Sequence, residues 1–432
     1  MKKIALSLAG VLVATAFAPE ASAIPSFSRQ TGKSCNSCHF QHFPVLNGTG
    51  QEFKNGGFTQ MNANGKFKAD DLSIPDSLNA SILLKARYQK ENGTDAANTV
   101  SGTTKNGGQW QIPDELSLFF GGRVADNGTI KIGYMNENDL AGSPMVAGFK
   151  LPVVIQLQES LNVQVIPYMT VSLGQAYGYE LSSTGISRGV RWAEHREETS
   201  AAHFLDAGGY KTGLGSTAAS GIAYVISSDM GYINLSRWSP NFTFAGTAAV
   251  QMSSSWLRVA ATPTFGEWSA HIAVGVASGS NYIAPATAAT KVDTKGSVFD
   301  VQLQGSLAEM ETSFYFSTMT AGKSSATNVN YFNSSTLNDR KATVIAGDLT
   351  VIPHTLTVGL AYRKGTNADA AASSNNAVTV TAIYDLFQNV ALHADYSKYS
   401  GTKPSGTYGV GTDYGTNGVK DSLLTLMLEA AW

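Results

Sequence analysis

The sequence predicts an all-β fold, a closed transmembrane β-barrel of about 16 strands (range about 16–18). Apolar and polar residues alternate in short stretches over residues 79–432. In the stretch "LLTLMLEAAW", the apolar Leu424 and Leu426 alternate with positions that include Thr425 and Glu429. Strands that are apolar on one side and small or polar on the other are typical of a barrel with a lipid-facing outer surface and a wet lumen.

The connections between the predicted strands favour the barrel over a soluble β-sandwich, which shows the same alternation. Short turns, as near residues 353–354, alternate with long loops rich in Gly, Ser, Thr and Asn, as at 321–339 and 400–418. Outer-membrane barrels place short turns in the periplasm and long loops outside. The predicted barrel covers residues 77–432, and one of its predicted strands lies at 241–252.

The composition supports the same class and excludes others. The chain has 43 glycines and only 14% charged residues, which is unlike a typical soluble α/β enzyme. Its formal net charge of −2 gives no reason to expect nucleic acid as a partner. Beyond residue 23, no segment of 18 consecutive apolar residues predicts a membrane-spanning helix. We therefore expect outer-membrane lipid, and not nucleic acid, around this chain.

The first 23 residues have the pattern of a secretory signal. Lys2 and Lys3 precede an apolar run that ends near Phe17, and the small residues Ala21 and Ala23 follow. This arrangement predicts a signal peptide over residues 1–23, which is removed after export. The predicted location of the mature chain is the outer membrane.

Both cysteines of the chain lie in the short sequence Cys35-Asn-Ser-Cys38-His39. Cys-x-x-Cys-His is the attachment motif of c-type haem. Two thiols one helical turn apart add to the two vinyl groups, and the next residue then lies under the iron as its proximal ligand. Two other interpretations are a Cys35–Cys38 disulfide and half of a metal site, although no second cysteine pair completes a zinc site. The sequence predicts one covalent haem c (heme c), with His39 on the iron.

The residues around the motif cannot enclose a haem alone. Residues 24–76 are few and rich in Asn, Gly, Lys and Ser, so they do not bury a core of their own. We therefore expect this monohaem segment to lie in the barrel lumen or at its periplasmic end, with walls supplied by the barrel.

The sequence does not decide which residue is the second axial ligand of the haem iron. Met61 lies 22 residues after His39, within reach of a loop that folds back, although an apolar anchor is its alternative role. His271 and His393 are alternative ligands because they fall on the polar, lumen-facing register of their strands. His42 is expected to be solvated or to contact a propionate, because a helical segment puts it on the same side of the iron as His39.

The stretch "IPSFSRQTGKSCNSCHFQHFPVLNGTGQEFKNGGFTQ" resembles the N-terminal signature of the fused monohaem cytochrome c–porins, the outer-membrane iron oxidases of Fe(II)-oxidising bacteria. The residues that match this pattern are Pro25, Phe27, Arg29, Gln30, Thr31, Gly32, Cys35, Cys38, His39, Phe43, Pro44, Leu46, Asn47, Gly50, Phe53, Lys54 and Gly57. Ser28 and the pair Gly48-Thr49 depart from it. Related barrel cytochromes share a looser version, so the resemblance supports electron transfer more firmly than iron as the donor.

The resemblance implies an oxidoreductase of the Fe(II):cytochrome c type. Such a protein takes electrons from extracellular Fe(II) through its single haem and passes them to a periplasmic electron-carrier cytochrome. It also implies that Arg29, Phe43, Pro44 and Asn47 pack around the haem. No residue is expected to act as a catalytic acid, base or nucleophile.

An acidic patch in the long connection after residue 172 is a candidate site for the first contact with Fe(II). Its members are Glu194, His195, Glu197 and Glu198. Carboxylates and one imidazole suit Fe(II), although a solvated charged loop has the same composition. Two alternative functions stay open: a haem-plugged porin or transporter without iron-oxidase activity, and an electron conduit for another extracellular donor.

Overall fold

A computed structural model describes most of the chain. The described residues are 25–43, 45–62, 66–69, 72–75, 79–91, 108–140, 145–171, 173–180, 218–241, 251–283, 290–366, 368, 370–372, 374–401 and 422–432. The predicted signal peptide, residues 1–23, lies outside them.

The described chain contains two α-helices, one short 3₁₀ helix and a series of β-strands. The helices are α1 (Pro25–Thr31), the 3₁₀ helix (Cys35–Ser37) and α2 (Gly48–Asn55). The strands are β1 (Lys66–Ala69), β2 (Leu72–Pro75), β3 (Ala80–Glu91), β4 (Gln109–Asp126), β5 (Ile130–Asp139), β6 (Val146–Lys150), β7 (Val153–Gln156), β8 (Asn162–Thr170), β9 (Ala219–Ser228), β10 (Gly231–Ser239), β11 (Ser254–Ala261), β12 (Thr264–Phe265), β13 (Trp268–Ser278), β14 (Ser280–Ile283), β15 (Thr290–Asp293), β16 (Gly296–Leu307), β17 (Met310–Ala321), β18 (Val329–Asn330), β19 (Arg340–Ile352), β20 (Leu356–Thr366), β21 (Ser374–Phe387), β22 (Val390–Ser400) and β23 (Ser422–Ala431).

The strands close into one antiparallel barrel of 16 strands, which confirms the predicted fold class. The wall is sealed where the last strand, β23, pairs with the first barrel strand, β3. β6 and β7 occupy one position in the wall, because the break between them contains Pro152, which cannot donate to a β-ladder. β11 and β12 likewise share one position, separated near Pro263.

The strand predicted at 241–252 falls mostly on residues 242–250, which lie outside the described residues. β10 pairs directly with β11, from Gly231 opposite Ala261 to Trp238 opposite Ser254. β10 and β11 are therefore direct neighbours in the wall.

The barrel has an inverted distribution of side chains. On β21, Val378 and Val380 are 43% and 52% exposed on the outer surface, whereas Thr379 and Thr381 are 2% exposed in the interior. An exposed outer row and a buried inner row alternate on most other barrel strands, and the inner row holds polar residues such as Arg258 and Asp300 as well as apolar ones such as Trp238 and Trp256. A soluble protein would have the apolar side buried, so the outer surface is one that meets lipid. The chain is therefore an outer-membrane protein, as predicted.

The two ends of the barrel differ in the length of their connections. Turns of two or three residues join β9 to β10, β16 to β17, β19 to β20 and β21 to β22, and all of them lie at one end. The longer connections lie at the opposite end. In outer-membrane barrels the short turns face the periplasm, so we call this the short-turn end and assign it to the periplasmic side.

The N-terminal residues 25–43 and 45–62, here called the plug, contact the barrel wall at its short-turn end. Four glutamine side chains connect plug and wall. Gln30 donates to the carbonyls of Phe58 (2.7 Å) and Gln60 within the plug, and its Oε1 accepts from the backbone N–H of Arg123 on β4 (3.1 Å). The other three bonds join Gln41 to the Glu311 carbonyl (2.8 Å), Gln164 to the Asn55 carbonyl (3.1 Å) and Gln304 to the Leu46 carbonyl (3.0 Å).

The apolar core of the plug is small and is completed by the barrel. The rings of Phe27 and Phe58 stack with centroids 5.4 Å apart, and Phe53 meets Phe27 edge to face at 5.0 Å. The fourth member of this cluster, Met135, belongs to β5. The plug thus borrows packing from the wall, which is what its length and composition predict.

A second segment, residues 173–180, here called the inward loop, lies against the plug. Its Tyr177 and Tyr179 are almost completely buried. Outside the barrel wall, β1 pairs with β2, and β14, β15 and β18 form a three-stranded sheet. No helix in the described part of the chain is long and apolar enough to cross a membrane.

A charge on the outer surface should destabilise the barrel in proportion to its depth in the membrane. Leu426 lies in the middle of β23 and is 43% exposed, so Leu426→Arg is expected to reduce the folding free energy by about 2–4 kcal/mol. Phe387 lies at the short-turn end of β21, where the same change should cost only about 0–1 kcal/mol. Urea titrations of folding into lipid vesicles measure both values. Equal costs at the two positions would contradict the assignment of this surface to lipid.

Candidate functional site

The Cys-x-x-Cys-His motif forms a single helical turn. The N–H groups of Cys38 and His39 both donate to the Cys35 carbonyl, at 2.9 and 2.8 Å. The two cysteines are not joined by a disulfide. The turn therefore has the two thiols one turn apart and the imidazole directly after them, which is the arrangement that the haem-attachment chemistry requires.

A hydrogen bond at Nδ1 orients the imidazole ring of His39. Its Nδ1 donates to the carbonyl of Val45 at 3.2 Å, and the ring of Phe43 packs edge-on at 5.3 Å. A carbonyl only accepts, so this contact fixes the tautomer that carries its lone pair on Nε2. Ligating histidines commonly have such an outer hydrogen bond, which sets the ring orientation and increases ligand basicity.

Asn47 and Gly50 hold the turn against α2. Asn47 caps α2 by accepting from the N–H of Gly50 at 3.0 Å, and its Nδ2 donates to the carbonyl of Ser37 at 3.1 Å. A Cβ atom on Gly50 would overlap the carbonyl oxygen of Cys38. Only glycine allows α2 to approach the haem-motif turn this closely. Asn47 therefore links the turn to α2 through two hydrogen bonds.

A cavity lies between this turn and the barrel wall. It contains about 830 Å³ of space free of protein atoms, including the part that opens to solvent. The plug residues that line it are Pro25, Cys35, Asn36, His39, Gln41, His42 and Phe43. The barrel residues that line it are Ser81, Ile82, Leu83, Phe119, Asp385, Gln388, Asn389, Val390, Ala391, Glu429 and Ala431.

The cavity lining suits a covalently attached haem in its chemistry at Cys35 and His39, whereas Cys38 is not among the described residues that line it. Cys35 and His39 face it from one side, and apolar side chains such as Leu83, Phe119 and Val390 form the opposite wall. Burial raises the pKa values of the Cys35 and Cys38 thiols. Both thiols are therefore protonated at neutral pH.

The structure distributes the predicted haem-contacting residues over different roles. Phe43 lines the cavity. Arg29 donates to the carbonyl of Ala80 and so ties α1 to β3. Among the described residues that line the cavity, neither Arg29 nor Asn47 is found. Pro44 lies outside the described residues.

The candidate second axial ligands lie away from the cavity lining. Met61 follows the plug residues that Gln30 binds and is partly buried. His271 is 6% exposed on β13, beside the ring of Tyr232, on a part of the wall that does not line the cavity. His393 is 4% exposed on β22, two residues beyond Ala391, which does line it. His271 and His393 face the lumen, as their register predicts.

His42 is buried, which corrects the solvated one of its two expected roles; the other, contact with a haem propionate, stays a prediction. Its Nδ1 donates to the Phe43 carbonyl at 3.1 Å, and its Nε2 lies 3.4 Å from Oδ2 of Asp348 on β19. Both ring nitrogens are therefore engaged. His42 fastens the plug to the wall beside the cavity.

The acidic patch of Glu194, His195, Glu197 and Glu198 lies outside the described residues. Within the described part of the chain, no group of three or more His, Cys, Asp or Glu side chains is arranged to hold a metal ion. A role of the patch in iron binding stays a prediction.

The ion pair between the plug and the inward loop could not be predicted from the sequence. Lys54 of α2 and Glu180 are 7% and 4% exposed, and their charged atoms are 3.3 Å apart. The Lys54 ammonium also lies 4.3 Å above the ring of Tyr179. Burial by itself raises the pKa of Glu180, but the charges of Lys54 and Arg258 outweigh it and hold that pKa at about 2. This pair locks the plug to the inward loop.

The fold and the site define the class: an outer-membrane β-barrel of the porin type whose lumen holds an N-terminal plug. An anion-selective porin from Comamonas acidovorans is similar with a TM-score of 0.52 and 14% identity, over 82% of this chain and 99% of its own. The outer membrane channel DcaP of Acinetobacter baumannii has a TM-score of 0.48 and 13% identity, over 85% of this chain and all of its own (100%). No protein family and no curated protein matches the sequence. The similarity to the porin concerns the fold alone.

The attachment of the plug to the inward loop should weaken at acid pH, because it depends on the ionised form of Glu180. Its pKa falls from an ordinary value of 4.5 to about 2 in the folded protein. A depressed carboxyl pKa contributes stability that is complete above pH 4.5 and is lost as the pH falls through about 2. Limited proteolysis of the plug in the folded barrel should therefore accelerate between these values. Glu180→Gln should expose the plug at neutral pH and remove this step, whereas Glu309→Gln in a short turn should leave it unchanged. An unchanged profile in Glu180→Gln would contradict the assignment.

Proposed function

We propose that this chain is an outer-membrane electron conduit that carries one c-type haem and oxidises extracellular Fe(II). The observation that supports it is the cavity that Cys35 and His39 share with an apolar patch of the barrel wall. When bound, the haem supplies one-electron redox chemistry. The resemblance of residues 24–60 to the iron-oxidising cytochrome–porins supports Fe(II) as the donor.

The chain's own residues have three tasks in this function. Cys35 and Cys38 attach the porphyrin, and His39, oriented by Val45, ligates the iron. The apolar wall around Leu83 and Val390 keeps water from one side of the cavity. No proton transfer or nucleophile is needed, because one electron enters and one electron leaves.

The position of the cavity determines how donor and acceptor reach it. It lies among residues of the short-turn end, such as Gln388 and Asn389 in the β21–β22 turn. A periplasmic electron-carrier cytochrome has direct access to that end. Electrons from Fe(II) outside the cell have to be delivered through the lumen, so the proposal requires that the ferrous ion enters the barrel from the long-loop end.

A second candidate is a haem-plugged porin without iron-oxidase activity. The fold that this chain shares with an anion-selective porin favours it. The plug and the inward loop oppose it, because their side chains, including Lys54, Tyr177 and Tyr179, are buried inside the barrel. A third candidate keeps the electron conduit and replaces Fe(II) by another extracellular donor.

Anaerobic stopped-flow mixing of the purified protein with Fe(II) tests the proposal. The ferric haem spectrum of the wild type should convert to the ferrous spectrum at near-neutral pH. The double variant Cys35→Ser/Cys38→Ser should lack covalent haem and give no spectral change. His354→Asn, in the β19–β20 turn and away from the cavity lining, should behave as the wild type.

A haem that stays ferric with excess Fe(II) would contradict the iron-oxidase function. Solute uptake by liposomes that contain the protein then separates the remaining candidates. Rapid uptake with the plug in place would support the porin. Reduction by a different donor without solute uptake would support the third candidate.

A further inference from the structure

A Tyr-x-Lys sequence occurs at the long-loop end of three barrel strands. The three copies are Tyr88-Gln-Lys90 on β3, Tyr362-Arg-Lys364 on β20 and Tyr396-Ser-Lys398 on β22. In each copy the middle residue, Gln89, Arg363 or Ser397, is buried on the lumen side. The tyrosine and the lysine of each copy therefore point outward, and all three lysines are exposed. We call these three lysines the basic arc.

The basic arc lies near the outer border of the lipid-facing surface. Lys364 and Lys398 each follow the first residue of their strand by eight positions, and Lys90 follows Ala80 by ten. A β-strand rises about 3.4 Å per residue and barrel strands tilt by about 35–45°, so these positions lie about 21–26 Å above the short-turn end. The apolar band of an outer-membrane barrel is about 25 Å tall. The lysines are therefore at the height of the lipid headgroups.

The strand register shows that the three lysines follow one line around the barrel. Each of two lysines lies in the same row as the tyrosine of the preceding copy, with one residue of the intervening strand between them. The two rows are Tyr362, Val378 and Lys398, and Tyr396, Leu424 and Lys90. The lysine position thus shifts by two residues toward the short-turn end at each step, from β20 to β22 and from β22 to β3. Positions at equal height shift along the strands in this way because barrel strands are tilted.

The tyrosines mark the membrane interface directly below the lysines. Tyr362 and Tyr396 are 43% and 44% exposed, and the ring of Tyr88 lies 4.9 Å from the ring of the exposed Trp110. Tyrosine and tryptophan form girdles at the interfaces of outer-membrane barrels. A lysine two residues beyond such a tyrosine can lay its apolar stem along the lipid and extend its ammonium to the headgroups.

In the described part of the chain, no lysine of the basic arc belongs to an ion pair. By contrast, Lys341 at the same end of β19 lies 3.6 Å from a carboxylate oxygen of Asp339. Toward the short-turn end, the outward residues of the same three strands are apolar, such as Leu84, Leu360 and Leu392. The outward positive charges on these strands are therefore confined to the end that faces the outer leaflet.

We propose that the basic arc binds the phosphate groups of lipopolysaccharide, the glycolipid of the outer leaflet. Neighbouring lysines of the arc are two strands and two residues apart, which separates their backbones by about 12 Å. A disaccharide with a phosphate at each end can bridge such a span, whereas a phospholipid offers a single phosphate. Ammonium groups bind phosphate as point charges, and basic side chains at a membrane surface attract anionic lipid. This interaction does not depend on the haem or on electron transfer.

Native mass spectrometry of the delipidated full-length protein in detergent tests the proposal. The probe is lipid A that carries both phosphates, compared with lipid A that lacks one. The wild type should bind the first more tightly than the second. Lys90→Gln/Lys364→Gln/Lys398→Gln should bind the first more weakly, by about fivefold for each lysine removed, and should no longer distinguish the two lipids.

Lys291→Gln/Lys295→Gln/Lys323→Gln is the matched control, because it removes the same charge at the same end of the barrel. Lys291 lies in β15, Lys295 precedes β16 and pairs with Asp293, and Lys323 lies between β17 and β18. The affinity of this variant for lipid A should equal that of the wild type. Should the triple arc variant fail to fold, the single variants Lys364→Gln and Lys398→Gln decide.

Three results would overturn the proposal. The first is an arc variant that binds lipid A as tightly as the wild type does. The second is a control variant that loses as much affinity as the arc variant, because charge alone would then explain the binding. The third is a spectrum in which the three lysines determine the binding of a second copy of this chain and not the binding of the lipid.

Discussion

The plug cannot enclose a cavity by itself, and this constraint governs the rest of the structure. Its apolar cluster consists of Phe27, Phe53 and Phe58 and is complete only with Met135 of the barrel. A chain segment of this size buries too small a fraction of its surface to be stable alone. The barrel wall therefore supplies both the packing that keeps the plug folded and the far side of the cavity.

A polar lumen can hold such a segment only through satisfied hydrogen bonds and paired charges. Glutamine side chains meet this need because each amide both donates and accepts, as Gln30 does toward Phe58 and Arg123. The ion pair of Lys54 with Glu180 adds a buried contact whose two partners lie in different segments. Removing one partner of such a pair leaves an uncompensated buried charge, so the pair favours one position of the plug in the barrel.

The sequence predicts those parts of the molecule that depend on local spacing. The period of two identifies the lipid-facing residues, such as Val274 and Leu426, and the lumen-facing His271 and His393. The spacing of Cys35, Cys38 and His39 predicts a turn with both thiols and the imidazole in reach of one group. The alternation of short and long connections predicts which end of the barrel faces the periplasm.

Contacts that depend on barrel closure could not be predicted. Lys85 meets Glu429 only because β3 and β23, the two ends of the barrel sequence, pair in a particular register. His42 meets Asp348 because the plug lies against β19, whereas a solvated or propionate-contacting role was expected for it.

A cryo-electron microscopy reconstruction of the full-length protein, purified from outer membranes, tests the central claim most directly. The expected map has haem density bonded to Cys35 and Cys38, ligated by His39, and packed against Leu83 and Val390 inside the short-turn end. A haem outside the barrel, with the plug released into the periplasm, would contradict the claim that the barrel wall completes the haem site.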